Sequence, residues 1–333
     1  MPPKFPLLRL PNDERLAVLR RMESIHLFIL SLASKQAKIL VTSANRKAEA
    51  VAISIERIIQ FSCHMFQGAG FAVKLSIWKT SNEPRKVEKP KYVSILQNSR
   101  RAKPIKLKKE EYEVKDWLDH LFQIFHQKDH SLTFGRHGSC YDLDSVYENF
   151  KNPYHLRLSG TGNAEYDYRV LKMIIPRSSI LLNSRILENG RPPRDTLIQN
   201  YDSFVCYKNS QLLSWKRPLD DLLCANSREI ETQGFSETDI NKFLKLWIRG
   251  SNPRLESLLI LNVPFDYDNV LRGIQNCVLS GDQENVFKVY TVLDGTVMTG
   301  AREIRRMDGT VAGISIDTGF FFNFIVLKDY DDH

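Results

Sequence analysis

Cysteine is scarce in this chain, long apolar runs are missing, and no complete glycine-rich phosphate loop occurs. Five cysteines are spread over 333 residues, at Cys63, Cys140, Cys206, Cys224 and Cys277. They are odd in number and never form a C-x-x-C pair, so neither a disulfide framework nor a zinc site is expected, and they read as buried free thiols. The longest strongly apolar run, Phe320 to Leu327, spans eight residues and is interrupted by Asn323. A bilayer span needs about 20, so no transmembrane segment and no membrane partner are expected. Met1-Pro2-Pro3-Lys4-Phe5-Pro6 places prolines where a secretory signal carries its apolar stretch. A cytoplasmic or nuclear location is the expectation.

Acidic charge is the other shortage, with a net charge of +8. The excess is local. Between Lys79 and Lys109 stand eleven basic residues against Glu83 and Glu88, or +9, so the remainder is close to neutral. A basic folded face that tracks phosphates is therefore not implied, and the run lacks the interleaved aromatics that stack on bases. Nucleic acid is an unlikely partner on these grounds, and a solvated linker is the preferred reading over a nuclear-import or RNA-touching segment.

With 42% apolar residues, the chain is long enough for two domains, or for one elongated domain and a small module. The first 45 residues read as helix. Asn12-Asp13 is a candidate cap before Leu16, Leu19 and Met22, and a second helical pattern through Ile25, Leu27, Phe28, Leu30 and Leu32 follows a break near Glu23-Ser24. Residues 71–78 alternate as a strand, and Lys79–Lys109 reads as a proline-punctuated connector holding a short strand at Tyr92–Leu96.

From about residue 114 the pattern becomes regular. Strand candidates begin near Leu132, Leu156, Ile180, Phe204, Glu229 and Leu255, at intervals of 24 to 26 residues. Helical stretches at Asp142–Phe150, Glu165–Ile175 and Glu237–Ile248 lie between them, the last with Ser236 as cap. This is the length of a leucine-rich-repeat-like unit, whose apolar face is buried only by stacking on its neighbours. No Asn ladder or strict L-x-x-L-x-L pattern is evident, and an ordinary βαβ sheet remains the alternative. Both give a mainly parallel sheet. After about Asn285 the style changes: Val286–Leu293 alternates, Asp308-Gly309 sits between strand-like runs as a hairpin signal, and Phe320–Leu327 supplies another strand. These predict an antiparallel extension that closes the repeats.

The sharpest motif is Phe5-Pro6-Leu7-Leu8-Arg9-Leu10-Pro11, followed by Leu16, Leu19, Met22, Ile25, Leu27, Leu30, Ser31, Leu32, Ser34 and Lys35. It resembles the F-box: a Leu-Pro start, an amphipathic helix, a break, then a helix bearing Leu-x-x-Leu-Ser-Leu-x-Ser-Lys. Met22-Glu23-Ser24 departs from the usual Leu-Asp-Pro at the break, and Arg20-Arg21 places two charges where one apolar position is common. Methionine fills leucine-like space at small cost, under about 1.5 kcal/mol. The resemblance implies a small helical module that packs against the Skp-type adaptor of a cullin-RING ligase. Leu8, Leu10, Pro11, Leu16, Leu19, Met22, Ile25, Leu27 and Leu30 would stand at that interface.

A second block, Ser236 to Glu256, resembles the F-box-associated type 2 domain, which typically follows an F-box in the same chain. It joins a helix, a glycine after it and the next strand in one continuous stretch. Ile304-Arg305-Arg306-x-Asp308-Gly309-Thr310 is similar to these proteins as well. The expected fold is mixed α+β and α/β. A small all-α F-box (5–45) is followed by a strand and basic connector (46–113), a leucine-rich-repeat-like strand-helix domain (114–265), and a C-terminal helix with an antiparallel β extension (266–333).

Other constellations are weaker. Ser159-Gly160-Thr161-Gly162-Asn163 has the placing of a dinucleotide loop, but Glu165 stands where the third glycine belongs. His126, His130, His137 and Cys140 lie close in sequence, yet their spacing fits no single helix face. Glu229, Glu231 and Asp239 are candidate paired carboxylates, of which strand alternation puts the first two on one face, usually a solvated one. No nucleophile, base and orienter can be assembled from these positions. The expectation is a non-catalytic, cofactor-free substrate receptor of a Skp-cullin-F-box ubiquitin ligase with an unidentified protein target. The rival is a free-standing repeat protein that binds protein or RNA through its basic connector.

Overall fold

A computed structural model describes residues 7–66, 68–77, 84–97, 103–107, 109–183, 187, 191–207, 216–261, 265–278, 301–317 and 321–327. The chain divides into two compact units, Met1–Pro176 and Arg177–His333. That division falls inside residues 114–265, the stretch read from sequence as one repeat domain.

The first unit opens with a 3-10 turn at Leu7–Arg9 and three helices, α1 (Asn12–Arg21), α2 (Ser24–Ser31) and α3 (Lys35–Ser43). Pro11, in an extended conformation, is the N-cap of α1, and no side chain caps that helix. The expected Asn12-Asp13 cap is thus displaced: Asn12 is already helical, and its Oδ1 accepts from Arg15 Nη2 at 2.8 Å. Proline's fixed φ suits the entry to a helix, and lacking a side-chain oxygen it accepts nothing from the first-turn N–H groups. The break falls where the sequence places it, with Met22 and Glu23 extended between α1 and α2. Ser34 caps α3 by accepting from Ala37 N at 3.1 Å.

Five strands follow: β1 (Ala48–Ile55), β2 (Ile59–Met65), β3 (Phe71–Ser76), β4 (Tyr92–Gln97) and β5 (Ile105–Leu107). Among the described residues of 46–113 these strands form an antiparallel meander. β1 and β2 have no counterpart in the sequence reading: in β1 the outward alanines Ala50 and Ala52 blur the alternation of Val51, Ile53 and Ile55, whereas β2 alternates from Ile59 to Met65 and was passed over. Then come α4 (Val114–Ile124), β6 (His130–Phe134), α5 (Leu143–Asn149), β7 (His155–Leu158) and α6 (Ala164–Met173). The strand order is β5-β4-β3-β2-β1-β6-β7, parallel only from β1 through β6 to β7. Register lines up Leu156, Leu132, Ile53, Phe61, Val73 and Ile95 in one row, each fully buried. Burying each such side chain is worth about 1.5–3 kcal/mol.

The second unit alternates β8 (Ser179–Asn183), α7 (Arg194–Leu197), β9 (Ser203–Tyr207), α8 (Leu219–Cys224), β10 (Glu229–Gln233), α9 (Glu237–Ile248) and β11 (Ser257–Leu261). It ends with α10 (Tyr267–Val270), β12 (Cys277–Val278), β13 (Arg302–Arg305), β14 (Val311–Asp317) and β15 (Phe321–Leu327). Strands β8 to β11 are parallel neighbours, and β15, β14, β13 and β12 continue from β11 antiparallel. The Asp308-Gly309 hairpin forms as its sequence predicts, with Gly309 left-handed (φ 93°) and Arg306 N donating to Thr310 O at 2.8 Å. The strand expected at Val286–Leu293 lies outside the described residues.

α9 carries both terminal devices of its sequence. Ser236 Oγ accepts from Asp239 N at 3.2 Å while Asp239 Oδ2 accepts from Ser236 N at 3.1 Å. At the other end Gly250 (φ 105°) turns left-handed; its N–H donates to Trp247 O and Ser251 N–H to Leu246 O, the two bonds of a Schellman motif. Trp247 and Phe243 pack edge-on against Phe324 of β15, at 4.9 and 6.1 Å between ring centres.

One asparagine pair is joined across neighbouring repeats of this unit. Asn226 Nδ2 donates to Asn200 Oδ1 at 2.6 Å across 26 residues. Asn252 stands the same interval further on. It is buried in a left-handed turn (φ 48°), and its Nδ2 donates to Leu222 O at 3.1 Å and Ala225 O at 3.0 Å. These carbonyls lie at the end of α8, where Leu222 O also accepts from Ala225 N at 3.3 Å. Among the described residues, no helix is long and apolar enough to cross a membrane.

Candidate functional site

Two surfaces are candidates, the N-terminal helices and the repeat strands. The N-terminal helices are fixed by their inner face. Phe28 of α2 packs against Phe71 of β3 at 5.2 Å, against Trp117 of α4 at 6.3 Å and edge-on against His120 at 5.7 Å. Backbone ties hold the rim: Arg46 Nη1 donates to Arg20 O at 2.8 Å, and His126 Nε2 lies 3.0 Å from Thr42 O.

At the centre of this contact Ser31 Oγ meets His120 Nε2 at 2.7 Å. Ser31 gives its single hydroxyl proton to Phe28 O at 2.7 Å, so its oxygen accepts from Nε2–H. That assigns the Nε2–H tautomer and leaves Nδ1 to accept from Tyr112 OH at 3.4 Å. Burial, reinforced by Lys38 and Lys109, lowers the His120 pKa to about 4, so the ring is neutral near pH 7. Both partners are almost fully buried. The Ser–His pair therefore stitches α2 to α4 and faces no space for a substrate.

The residues expected at an adaptor interface divide by depth. Leu19, Ile25 and Leu27 are buried within the chain, Leu10, Leu16, Met22 and Leu30 are half-buried, and Pro11 is exposed. Leu8 sits in the Leu7–Arg9 turn. The buried three set the spacing of the helices from behind; the other five described side chains face outward in whole or part. Ile39 of α3, which the sequence reading passed over, is 68% exposed. Its signal was available: an isoleucine flanked by Lys38 and Leu40 on a short capped helix, offset from the stripe of Ala37 and Val41 that is buried.

The remaining constellations resolve into structural roles. In the loop before α6, Gly160 and Gly162 are left-handed, and Thr161 N donates to both oxygens of Asp167 at 3.2 Å. A protein carboxylate thus occupies the amide that a phosphate would need, and burial raises its pKa against the pull of the Thr161 bonds. His126 bonds α3, His130 stacks on Phe122 at 6.1 Å, His137 makes a left-handed turn (φ 69°), and Cys140 Sγ lies 3.8 Å from Glu56 O. Among the described residues no group of three or more His, Cys, Asp or Glu side chains could hold a metal ion. Asp239 is consumed by the α9 cap, whereas Glu229 and Glu231 share one face of β10, the first exposed and the second half-buried. Of the basic run, residues 103–107 form the edge strand β5 and its approach, with Lys103 and Lys106 exposed.

Comparison with known proteins finds two families in the chain. The F-box domain matches residues 7–49, over α1 to α3 and the start of β1. The F-box associated family matches residues 192–260, from α7 to β11. No curated protein and no solved structure matches.

Proposed function

We propose that this chain, an F-box protein with an F-box associated domain behind its F-box, is a non-catalytic substrate-recognition subunit of a Skp-cullin-F-box ubiquitin ligase. The observation that carries the reading is the pairing of those two domains in one chain. The F-box docks on a Skp-type adaptor through Leu8, Leu10, Pro11, Leu16, Met22 and Leu30, with Leu19, Ile25 and Leu27 holding the helices in place from beneath. The second unit binds a protein target, and ubiquitin transfer is carried out by other subunits in the cytoplasm or nucleus.

The mechanism is proximity. A target held beside a charged conjugating enzyme experiences a raised effective concentration of the reacting partner, and no reacting group is needed in this chain. The buried contact of α2 with β3 and α4 suits that task, because a docked F-box would pass its orientation to the first unit without a flexible joint.

Co-purification with the adaptor tests the reading. The double substitution Leu10→Ala with Pro11→Ala removes exposed and half-buried surface without touching Phe28 or His120, and it is expected to weaken adaptor capture at least about tenfold. Undiminished capture, or none by the wild-type chain, would count against the ligase assignment.

A further inference from the structure

The sheet of the second unit has two unlike faces. One is fully buried: Ile180, Phe204, Ile230, Leu258 and Phe324 are direct neighbours across it, and α9 packs there. On the opposite face the neighbours are Leu181, Val205, Glu231, Leu259 and Asn323, all half-buried.

Glu231 is therefore flanked on both sides by aliphatic side chains, Val205 and Leu259, at the middle of the row. Its carboxylate has no hydrogen-bond or ion-pair partner among the described residues. Burial raises its pKa, and no cationic neighbour among the described residues opposes that shift. Two residues away on the same face, Glu229 is exposed. A half-desolvated charge with no partner among the described residues is a cost to the fold, which a counter-charge on a bound partner would offset. The apolar flanks specify what surrounds that counter-charge.

We infer that this face docks a protein segment in which a lysine or arginine, set among apolar side chains, pairs with Glu231; the inference rests on the reading of the chain as a substrate receptor. An apolar contact excludes water around one ion pair, the arrangement in which a single charge decides which partner binds. Nucleic acid is disfavoured here, since its phosphates would face the same unpaired carboxylate.

The test is selection from a random peptide library displayed on phage, with the full-length chain as bait. Peptides enriched on the wild type are expected to carry Lys or Arg flanked by apolar residues, and to bind Glu231→Gln about tenfold or more weakly. Selection on Glu231→Lys is expected to return peptides with Asp or Glu in that place. Enriched peptides without a basic residue, the same peptides on wild type and Glu231→Lys, or no enrichment on the wild type would each overturn the inference. Glu231→Gln is near-isosteric, and its thermal unfolding midpoint should equal or exceed that of the wild type, so lost binding cannot be put down to lost folding. Adaptor co-purification of the same proteins separates the two proposals. Charge-switched selection without adaptor capture sinks the ligase assignment and leaves the docking face standing, whereas adaptor capture with charge-blind selection sinks the docking face alone.

Discussion

Ser31 and His120 lie 89 residues apart in the chain and 2.7 Å apart in the fold. The contact joins the F-box to α4, and it turns a helical module into part of a larger core. Ser31→Ala would leave the buried Nε2–H without an acceptor, at a cost of about 1–3 kcal/mol. Urea unfolding should show the loss as a lower midpoint with an unchanged slope.

The same histidine predicts a pH dependence. Its folded pKa of about 4 lies below the ordinary value of 6.5, so between those values the unfolded chain binds a proton that the native chain refuses. Its contribution to stability is complete above about pH 6.5 and is lost as pH falls toward 4, up to about 3 kcal/mol in all. His120→Gln should flatten the stability profile of the first unit across that window, measured by denaturant unfolding at a series of pH values.

Phe28→Ala removes a fully buried ring from contact with Phe71, Trp117 and His120. The expected cost is about 3–5 kcal/mol. Hydrogen exchange should show the loss in β3 and α4 as well as in α2. Exchange confined to residues 7–49 would mean that the F-box is an independent module.

Asn252→Ala removes the side-chain donor shared by the Leu222 and Ala225 carbonyls and puts alanine in a left-handed turn. The two effects together should cost about 2–4 kcal/mol, against a few tenths for the same change at the exposed Asn12 of α1. Thermal unfolding of the two variants side by side checks the difference.

At Gly250 a Cβ would meet nothing within 4 Å, so only the backbone resists substitution. With φ at 105°, Gly250→Ala should cost about 1 kcal/mol or somewhat more, read as a lower melting temperature with an unchanged circular dichroism spectrum.

Local signals were legible in the residues alone. Ser236 and Asp239 announce the start of α9 and Gly250 its end, Asp308-Gly309 announces the hairpin, and the 24-to-26-residue recurrence of short apolar runs announces the parallel strands. Each depends on backbone preferences that act within a few residues, which is why they survive without knowledge of the rest of the chain. The F-box leucines were legible as a pattern in the same way.

Tertiary structure decided what those patterns are for. Leu16 and Leu19 look alike in sequence, yet only Leu19 is sealed in the core. Asn226 meets Asn200, and Asn252 the end of α8, only once the repeats stack, and Ser31 finds His120 only because α2 lies across α4. Glu231 was one of two carboxylates on a strand until register set Val205 and Leu259 on either side of it. The physical reason is common to all four: burial and partnership are properties of neighbours brought together from distant parts of the chain, and side-chain chemistry takes its meaning from the surroundings that this packing supplies.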